Sequence, residues 1–539
     1  MHTEIMTGGA RNRMRTDRTD ILFYGLILLT ISLLYLFFFS DLPIYGDAWG
    51  YGYNCANWIA DNGLQLIPSG TGRGETAGGH VAFYFWMWAA AMRVFGNTVK
   101  TAHLLPAVFS FLAIAGTYRL GRELAGRAMG VVCGIALLVS PLFLSQAFRP
   151  LPIAAVMAAS VWSLFFYKRE KYFLASLLCV FAVMMREQAL MLSVTYIAVE
   201  LYFFRDLRWR RIILFAAPFL VPVINAFSNF LVNGFVFLEI NKPGIDQAFS
   251  LGLFLERLKF FAGYFFISHF RWIPVSVSAG ILFARSMNKN AGLILGIILC
   301  SIGAFGGLQN YFTAILTLSL LYPVFFRKPL VSRMAMVLGL FPLLIVLFFT
   351  FIVFVTATDM EFMFFRYLAA AFPALIIGVI WTLFKSDRKF MLIAIVFIGA
   401  TAATNFFVRF QVFYSDSNLA GYAEPLLVMR DAGIWAQEQK LTVIAAGGAV
   451  HHFSIPALGY TDSSLAVINI NSDSLLLERK DYVIVVPPLL PWGDDGEAAL
   501  RHFTQRLSNE HRLELSRTIT RGLFYASCYT LHWDPQVLE

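Results

Sequence analysis

Charge is scarce in this sequence. Asp, Glu, Lys and Arg make up 14% of its 539 residues, where soluble domains carry roughly 25%. Cysteine is scarce too: the five copies are scattered, with neither the spacing of a disulfide framework nor the paired spacing of a metal site. Acids are nearly missing from the centres of the long apolar runs. That shortage argues against a proton- or sodium-coupled transporter, which needs ionisable groups near mid-membrane, and no internal repeat of the transporter kind is visible. The first apolar run, Ile21–Phe39, is followed by no small-residue cleavage site and is too long for a signal-peptide core, so it reads as an uncleaved first span.

Apolar residues fill the space that charge leaves. They form 58% of the chain, with 54 phenylalanines, a composition that suits helices facing lipid. Runs long enough to cross a bilayer lie near 21–39, 101–118, 129–147, 151–167, 172–185, 188–204 and 212–232. Six more lie near 259–284, 291–306, 310–326, 334–356, 365–384 and 390–409. The expected fold class is therefore an α-helical polytopic membrane protein of about thirteen transmembrane helices. The net charge of +9 does not point to nucleic acid, because the basic residues cluster between the apolar runs. With Arg11, Arg13, Arg15 and Arg18 in the cytoplasm, the inner loops carry Arg119/Arg122/Arg127, Lys168/Arg169/Lys171 and Arg205/Arg208/Arg210/Arg211. Further along they carry Arg285/Lys289, Arg327/Lys328/Arg333 and Lys385/Arg388/Lys389. The other loops are acidic or mixed. Residues 1–20 are then a cytoplasmic basic N-terminus, 21–410 a membrane domain, and 411–539 an extracytoplasmic domain, in a multi-pass protein of the cell (inner) membrane.

Two stretches outside the spans carry structure of their own. The first outer loop, 40–100, contains a helix over Asp47–Asn62 and the aromatic segment VAFYFWMWAAAMRVF, which reads as a helix lying in the membrane interface. The C-terminal 411–539 reads as a small α/β domain. Its helices fall near 424–440 and 495–508, its strands at LTVIAA and YVIVVPP, and two β-rich runs at His511–Thr518 and Leu523–Trp533.

The polar groups gather at the outer rim: Asp47, Glu75, His80, Arg149, Arg186, Glu187, His269, Arg271, Glu361, Arg366 and Tyr367. A base and several cations on one rim suit transfer chemistry on an anionic lipid substrate. The segment PIYGDAWGYGYNCANWIADNG, followed by GGHVAFYFWMWAAAMRVFGN, resembles the first outer loop of the GT-C superfamily of membrane glycosyltransferases. HLLPAVFSFLAIAGTYRLGRELAGR, SPLFLSQAFRP, FAVMMREQALML and MEFMFFRYLAAAFPALIIG are similar to later landmarks of that family, in order, over residues 20–410. In architecture the chain resembles most the lipid A aminoarabinose transferases and bacterial protein O-mannosyltransferase homologues.

That resemblance implies transfer of a sugar, with inversion, from a polyprenyl-phosphate carrier to an extracytoplasmic acceptor, which is a lipid-linked glycan, a lipid or a protein. It makes Asp47 the catalytic base. Arg186, Arg366 and Tyr367 are candidates for holding the lipid phosphate, with Arg149, His80, Glu75 and His269 as further substrate contacts. It allows a divalent metal ion, which His80 and Glu75 could help bind if they do not simply shape the acceptor cleft. Each residue has a plainer reading beside this one: Asp47 as the N-cap of the helix that follows, Arg366 as an anchor to lipid headgroups. Two departures from the family pattern stand out. The turn after the third span, AFRPLPIAAV, has no acid, and the first motif is Gly46-Asp47-Ala48, with one acid where a pair is expected. The alternative is a non-catalytic protein, a lipid-linked glycan flippase or a subunit of an envelope-assembly complex.

Overall fold

The computed structural model describes residues 18–44, 48–65, 67–69, 79–203, 208–234, 251–267, 271–286, 289–304, 332–356, 365–386, 391–407, 419–445, 452–469, 481–486, 504–505, 513–521 and 524–531. It is mostly helical, with a small sheet at the C-terminal end. Among the described residues, five helices are long and apolar enough to cross a membrane, or up to seven if each of two bent pairs is one span. Helices overlap every apolar run expected from the sequence except that near 310–326, which lies outside the described residues.

The helices form where the apolar runs are and stop where turn chemistry intervenes. α1 (Arg18–Phe39) buries Phe23, Ile27 and Ile31, four residues apart on one face, and exposes Leu22, Leu26 and Leu29. A narrow buried stripe on an otherwise apolar surface is the pattern of a helix facing lipid. In the first loop, a π-helical turn at Ala48–Tyr53 leads into α2 (Asn54–Asn62), and α3 is Phe83–Phe95. Thr98 caps α4 (Val99–Ala125) by accepting from the Thr101 amide.

Two expected runs are broken. The run 129–147 is two helices, α5 (Arg127–Leu138) and α6 (Pro141–Ala147), bent by 67°. Ser140 precedes a proline and is extended, at φ −69° and ψ 128°, because the proline ring disfavours helical geometry at the residue before it. After α7 (Ile153–Lys168), α8 (Tyr172–Met185), α9 (Leu190–Tyr202) and α10 (Trp209–Asn233) comes the second break. α11 (Leu251–Ala262) runs through a π turn, Gly263–Ile267, and the chain bends by 94° into α12 (Trp272–Ser286). Arg271 folds back on that end, its Nε donating to the Phe265 carbonyl at 2.8 Å and its Nη2 to that of Tyr264. Orphan carbonyls at a helix end are thereby satisfied. The remaining helices are α13 (Lys289–Ala304), α14 (Arg333–Thr356), α15 (Arg366–Ser386) and α16 (Met391–Phe407).

At the bundle face remote from the C-terminal domain, two buried carboxylates tie helices together. Asp20 of α1 accepts from Tyr118 and Arg122 of α4. Glu200 of α9 accepts from Tyr167 of α7 at 2.9 Å and from Arg211 of α10 at 3.1 Å. Buried charges of this kind are tolerated only when paired and hydrogen-bonded.

The C-terminal domain packs α17 (Leu419–Gln439) on a five-stranded sheet of order β2-β1-β3-β5-β4. β1 (Thr442–Ala445) lies parallel to β2 (Val467–Asn469) and to β3 (Tyr482–Val486). β5 (Phe524–Leu531) runs antiparallel to both β3 and β4 (Leu513–Arg521). The expected helix 424–440 and four of the strands appear close to their sequence positions; β2 is additional, and most of the expected helix 495–508 lies outside the described residues.

Candidate active site

The site is built where the first loop, the α8–α9 turn and the start of α15 meet, on the side of the bundle that carries the C-terminal domain. The α8 helix ends at Met185, and Arg186 is extended, at φ −162°. That turn aims two adjacent charged side chains in different directions. Glu187 receives His80 Nδ1 at 3.2 Å from its Oε2, and its Oε1 accepts from the Val81 amide at 3.0 Å. Both contacts anchor the start of α3 to the α8–α9 turn. Burial alone would push the Glu187 carboxyl up, but the His80 ring and the Arg186 guanidinium override it and hold the carboxyl down at about 2.

Arg186 turns the other way. Its Nη2 donates to the Tyr367 hydroxyl at 2.9 Å, and Arg366 Nη2 donates to the same oxygen at 3.2 Å. Both guanidinium carbons also sit 5.1 and 5.0 Å from the Tyr367 ring centroid, within cation–π range. Phe349 of α14 stacks on that ring at 5.4 Å. Arg366 and Tyr367 are buried, and Arg186 is half-buried. Two cations therefore converge on one hydroxyl oxygen, the geometry of a site able to grip an anionic oxygen through two forks.

The loop that carries Asp47 is stitched to the turn that carries Arg149. His103 of α4 lies between them, with Nδ1 2.5 Å from the Phe148 carbonyl and Nε2 2.6 Å from the Leu42 carbonyl. Phe39 and Phe148 stack at 4.1 Å. Gly52, five residues after Asp47, allows close approach: a Cβ there would lie 2.9 Å from the Trp88 ring and 3.5 Å from the Pro150 carbonyl. Farther along the loop, Asn225 and Asn229 of α10 donate to the Gly79 carbonyl at 2.8 and 3.2 Å, and Asn233 donates to the Pro68 carbonyl at 3.1 Å. The three asparagines repeat every four residues on one helix face.

Of the residues singled out from the sequence, the structure brings together Arg186, Arg366 and Tyr367, and places His80 against Glu187 beside them. Arg149 is buried, in the turn held to the first loop by His103. Asp47, Glu75, His269 and Glu361 lie outside the described residues. His103 and the asparagine ladder were not singled out; a polar residue every fourth position through an apolar helix was a readable signal for the ladder, whereas nothing local marks His103.

Among the described residues no group of three or more His, Cys, Asp or Glu is placed to hold a metal ion. His80 and Glu187 are engaged with each other and supply two donors at most, so the described residues do not fit a metal site.

The sequence matches no protein-family model and no curated protein. Among solved structures the chain is similar to that of ArnT from Cupriavidus metallidurans bound to undecaprenyl phosphate, at 12% identity and a TM-score of 0.43, over 95% of this chain and 97% of that one. It is also similar to the Archaeoglobus fulgidus oligosaccharyltransferase in complex with Zn and sulfate, at 14% identity and a TM-score of 0.40, over 82% of this chain and 62% of that one. A third is archaeal oligosaccharyltransferase AglB from Archaeoglobus fulgidus with an inhibitory peptide and a dolichol-phosphate, at 12% and 0.39, over 83% and 64%. The chain thus spans less than two thirds of the archaeal proteins. All three are membrane glycosyltransferases of the GT-C superfamily, the family that the loop and span motifs resemble. TM-scores below 0.5 at such identities assign neither fold nor activity to this chain, and its chemistry is read from its residues.

Proposed function

We propose that this chain is a membrane glycosyltransferase of the GT-C type that moves a sugar from a polyprenyl-phosphate carrier to an acceptor outside the cytoplasm. The observation that carries the reading is the convergence of Arg186 and Arg366 on the Tyr367 hydroxyl. Together the two cations make a phosphate cradle at the end of an apolar bundle, where a polyprenyl chain lies in lipid and its headgroup at the rim.

The chemistry follows from that placement. An acceptor hydroxyl or amine attacks the anomeric carbon of the sugar from the face opposite the phosphate. The new bond forms as the anomeric carbon–oxygen bond breaks, and the electron pair leaves with the carrier phosphate. Asp47 takes the acceptor's proton, while Arg186 and Arg366 offset charge gathering on the departing phosphate. Inversion at the anomeric carbon results. His80 and Glu187 hold the start of α3, and Arg149 lines the turn beside the Asp47 loop. Glu75 and His269 complete the substrate contacts on the same rim.

This reading goes with about thirteen spans, a cytoplasmic N-terminus and an extracytoplasmic C-terminal domain in the inner membrane. It is tested by incubating purified protein with polyprenyl-phosphate sugars and host membrane extract and following release of the free carrier phosphate. Acceptor-dependent release supports the transferase. Binding of the carrier without release under any extract supports the non-catalytic alternative.

A further inference from the structure

The C-terminal domain does not merely stand on the bundle; one of its loops reaches the segment that follows Asp47. His452 stacks on Tyr460 of its own domain, with ring centroids 4.5 Å apart and 20° between planes. The same imidazole meets Trp49 nearly perpendicularly, at 5.6 Å and 75°. Trp49 is two residues past Asp47. His452 is buried and Trp49 is half-buried.

Three further contacts surround this one and point the same way. The Ile44 amide donates to the Leu458 carbonyl at 2.9 Å. Arg430 Nη1 donates to the Asp41 carbonyl at 3.3 Å. Gly459 has φ +86°, and a Cβ there would meet Val99 Cγ2 at 2.6 Å and Pro43 Cα at 3.4 Å, so the domain's backbone approaches both ends of the first loop as closely as glycine permits. The docking contacts therefore bracket Asp47, with Asp41, Pro43 and Ile44 before it and Trp49 after it.

We infer that His452 is a positioning residue: its ring, braced by Tyr460, fixes the Trp49 segment of the first loop, which makes the C-terminal domain a working part of the transfer site. This rests on the transferase reading for its catalytic consequence, and on the aromatic contact alone for its structural one. Aromatic edge-to-face pairs have a defined geometry, and a base displaced by about 1 Å can lose about 100-fold in rate. The contacts with Trp49 and Tyr460 are ring to ring, so another flat aromatic at 452 should keep them.

The test uses the full chain in nanodiscs, as wild type, His452→Ala and His452→Phe. Three quantities are read: amide hydrogen exchange in peptides covering 42–53, the affinity for undecaprenyl phosphate, and kcat. His452→Ala should exchange faster over 42–53 and lose about 10- to 100-fold in kcat. Its affinity for undecaprenyl phosphate and exchange in β1 and β3 should stay unchanged, and His452→Phe should recover both lost properties. Unchanged exchange over 42–53 in His452→Ala overturns the inference. So does faster exchange with undiminished kcat, and so does a phenylalanine variant that is rigid yet inactive, which would make the imidazole a chemical participant. If wild type itself transfers no sugar, the transferase reading fails separately, and exchange over 42–53 still decides whether His452 holds the segment.

Discussion

Arg366→Ala is the variant whose consequence can be worked furthest from the structure. Arg186 Nη2 and Arg366 Nη2 lie 2.9 and 3.2 Å from one hydroxyl oxygen, so the two cationic nitrogens are within about 6 Å of each other. Two unit charges at that distance repel by about 3 kcal/mol at an effective dielectric of about 20. The tyrosine oxygen relieves part of this in the unliganded protein; a phosphate oxygen between the forks would relieve more. A charge-assisted hydrogen bond contributes about 1.5–3 kcal/mol. Loss of the Arg366 contact should therefore cost about 2–3 kcal/mol of carrier affinity, or about 30- to 150-fold in Kd. The assay compares undecaprenyl phosphate with undecaprenol, which shares the tail and lacks the phosphate. Wild type should prefer the phosphate strongly, and Arg366→Ala should lose that preference with little change in undecaprenol binding. An equal loss for both lipids would make Arg366 a packing residue. No loss in a folded variant would make it a headgroup anchor and remove the observation on which the functional reading stands.

Tyr367→Phe removes the shared acceptor and keeps the ring, so the unliganded protein should melt at a lower temperature while undecaprenyl phosphate raises its Tm more than it raises that of wild type. The Glu187 carboxyl is held at about 2 in the folded protein against 4.5 ordinarily. Its contribution to stability is thus whole above about pH 4.5 and is lost as pH falls towards 2, worth about 3 kcal/mol at one pH unit per 1.36 kcal/mol. Glu187→Gln should flatten the acid limb of a Tm–pH profile in that window; a profile with an unchanged acid limb would show that the His80 contact holds nothing. For orientation, Thr520→Cys on the C-terminal sheet should react with an impermeant thiol reagent in intact spheroplasts, and Lys168→Cys at the end of α7 should not. The native background is low, because Cys55, Cys133, Cys179 and Cys528 are buried, Cys300 is half-buried within the apolar α13, and burial pushes the Cys528 thiol up to about 12. Reversed labelling would invert every face assigned here.

How much of this was legible in the sequence differs from one residue to the next, for physical reasons. The helices were legible because lipid demands long apolar runs, and α8 falls on the same residues, 172–185, in the sequence reading and in the structure. The break at Ser140-Pro141 was also written locally, yet a continuous run of hydropathy hides it. The break before Arg271 is hidden by continuous hydropathy in the same way, and the contacts of its guanidinium with carbonyls six and seven residues upstream show only in the structure. In the site, Arg186, Arg366 and Tyr367 could be chosen as cations and a phenol at helix ends, but their convergence spans 181 positions of chain. The pairing of His80 with Glu187, across 107 positions, and the contact of His452 with Trp49 are long-range in the same way. Spacing in sequence does not encode such contacts; packing of whole helices does.

The most direct test of the central claim is turnover by Asp47→Asn. Asparagine keeps the shape and remains a good N-cap, but it takes no proton from an acceptor. With polyprenyl-phosphate sugar and membrane extract supplied, release of carrier phosphate by Asp47→Asn should fall by about 100- to 10,000-fold, while Tm and affinity for undecaprenyl phosphate stay at wild-type values. Release at a near wild-type rate would contradict the assignment of Asp47 as the base and, with no acid in the turn after α6, would leave Glu75 or the non-catalytic alternative.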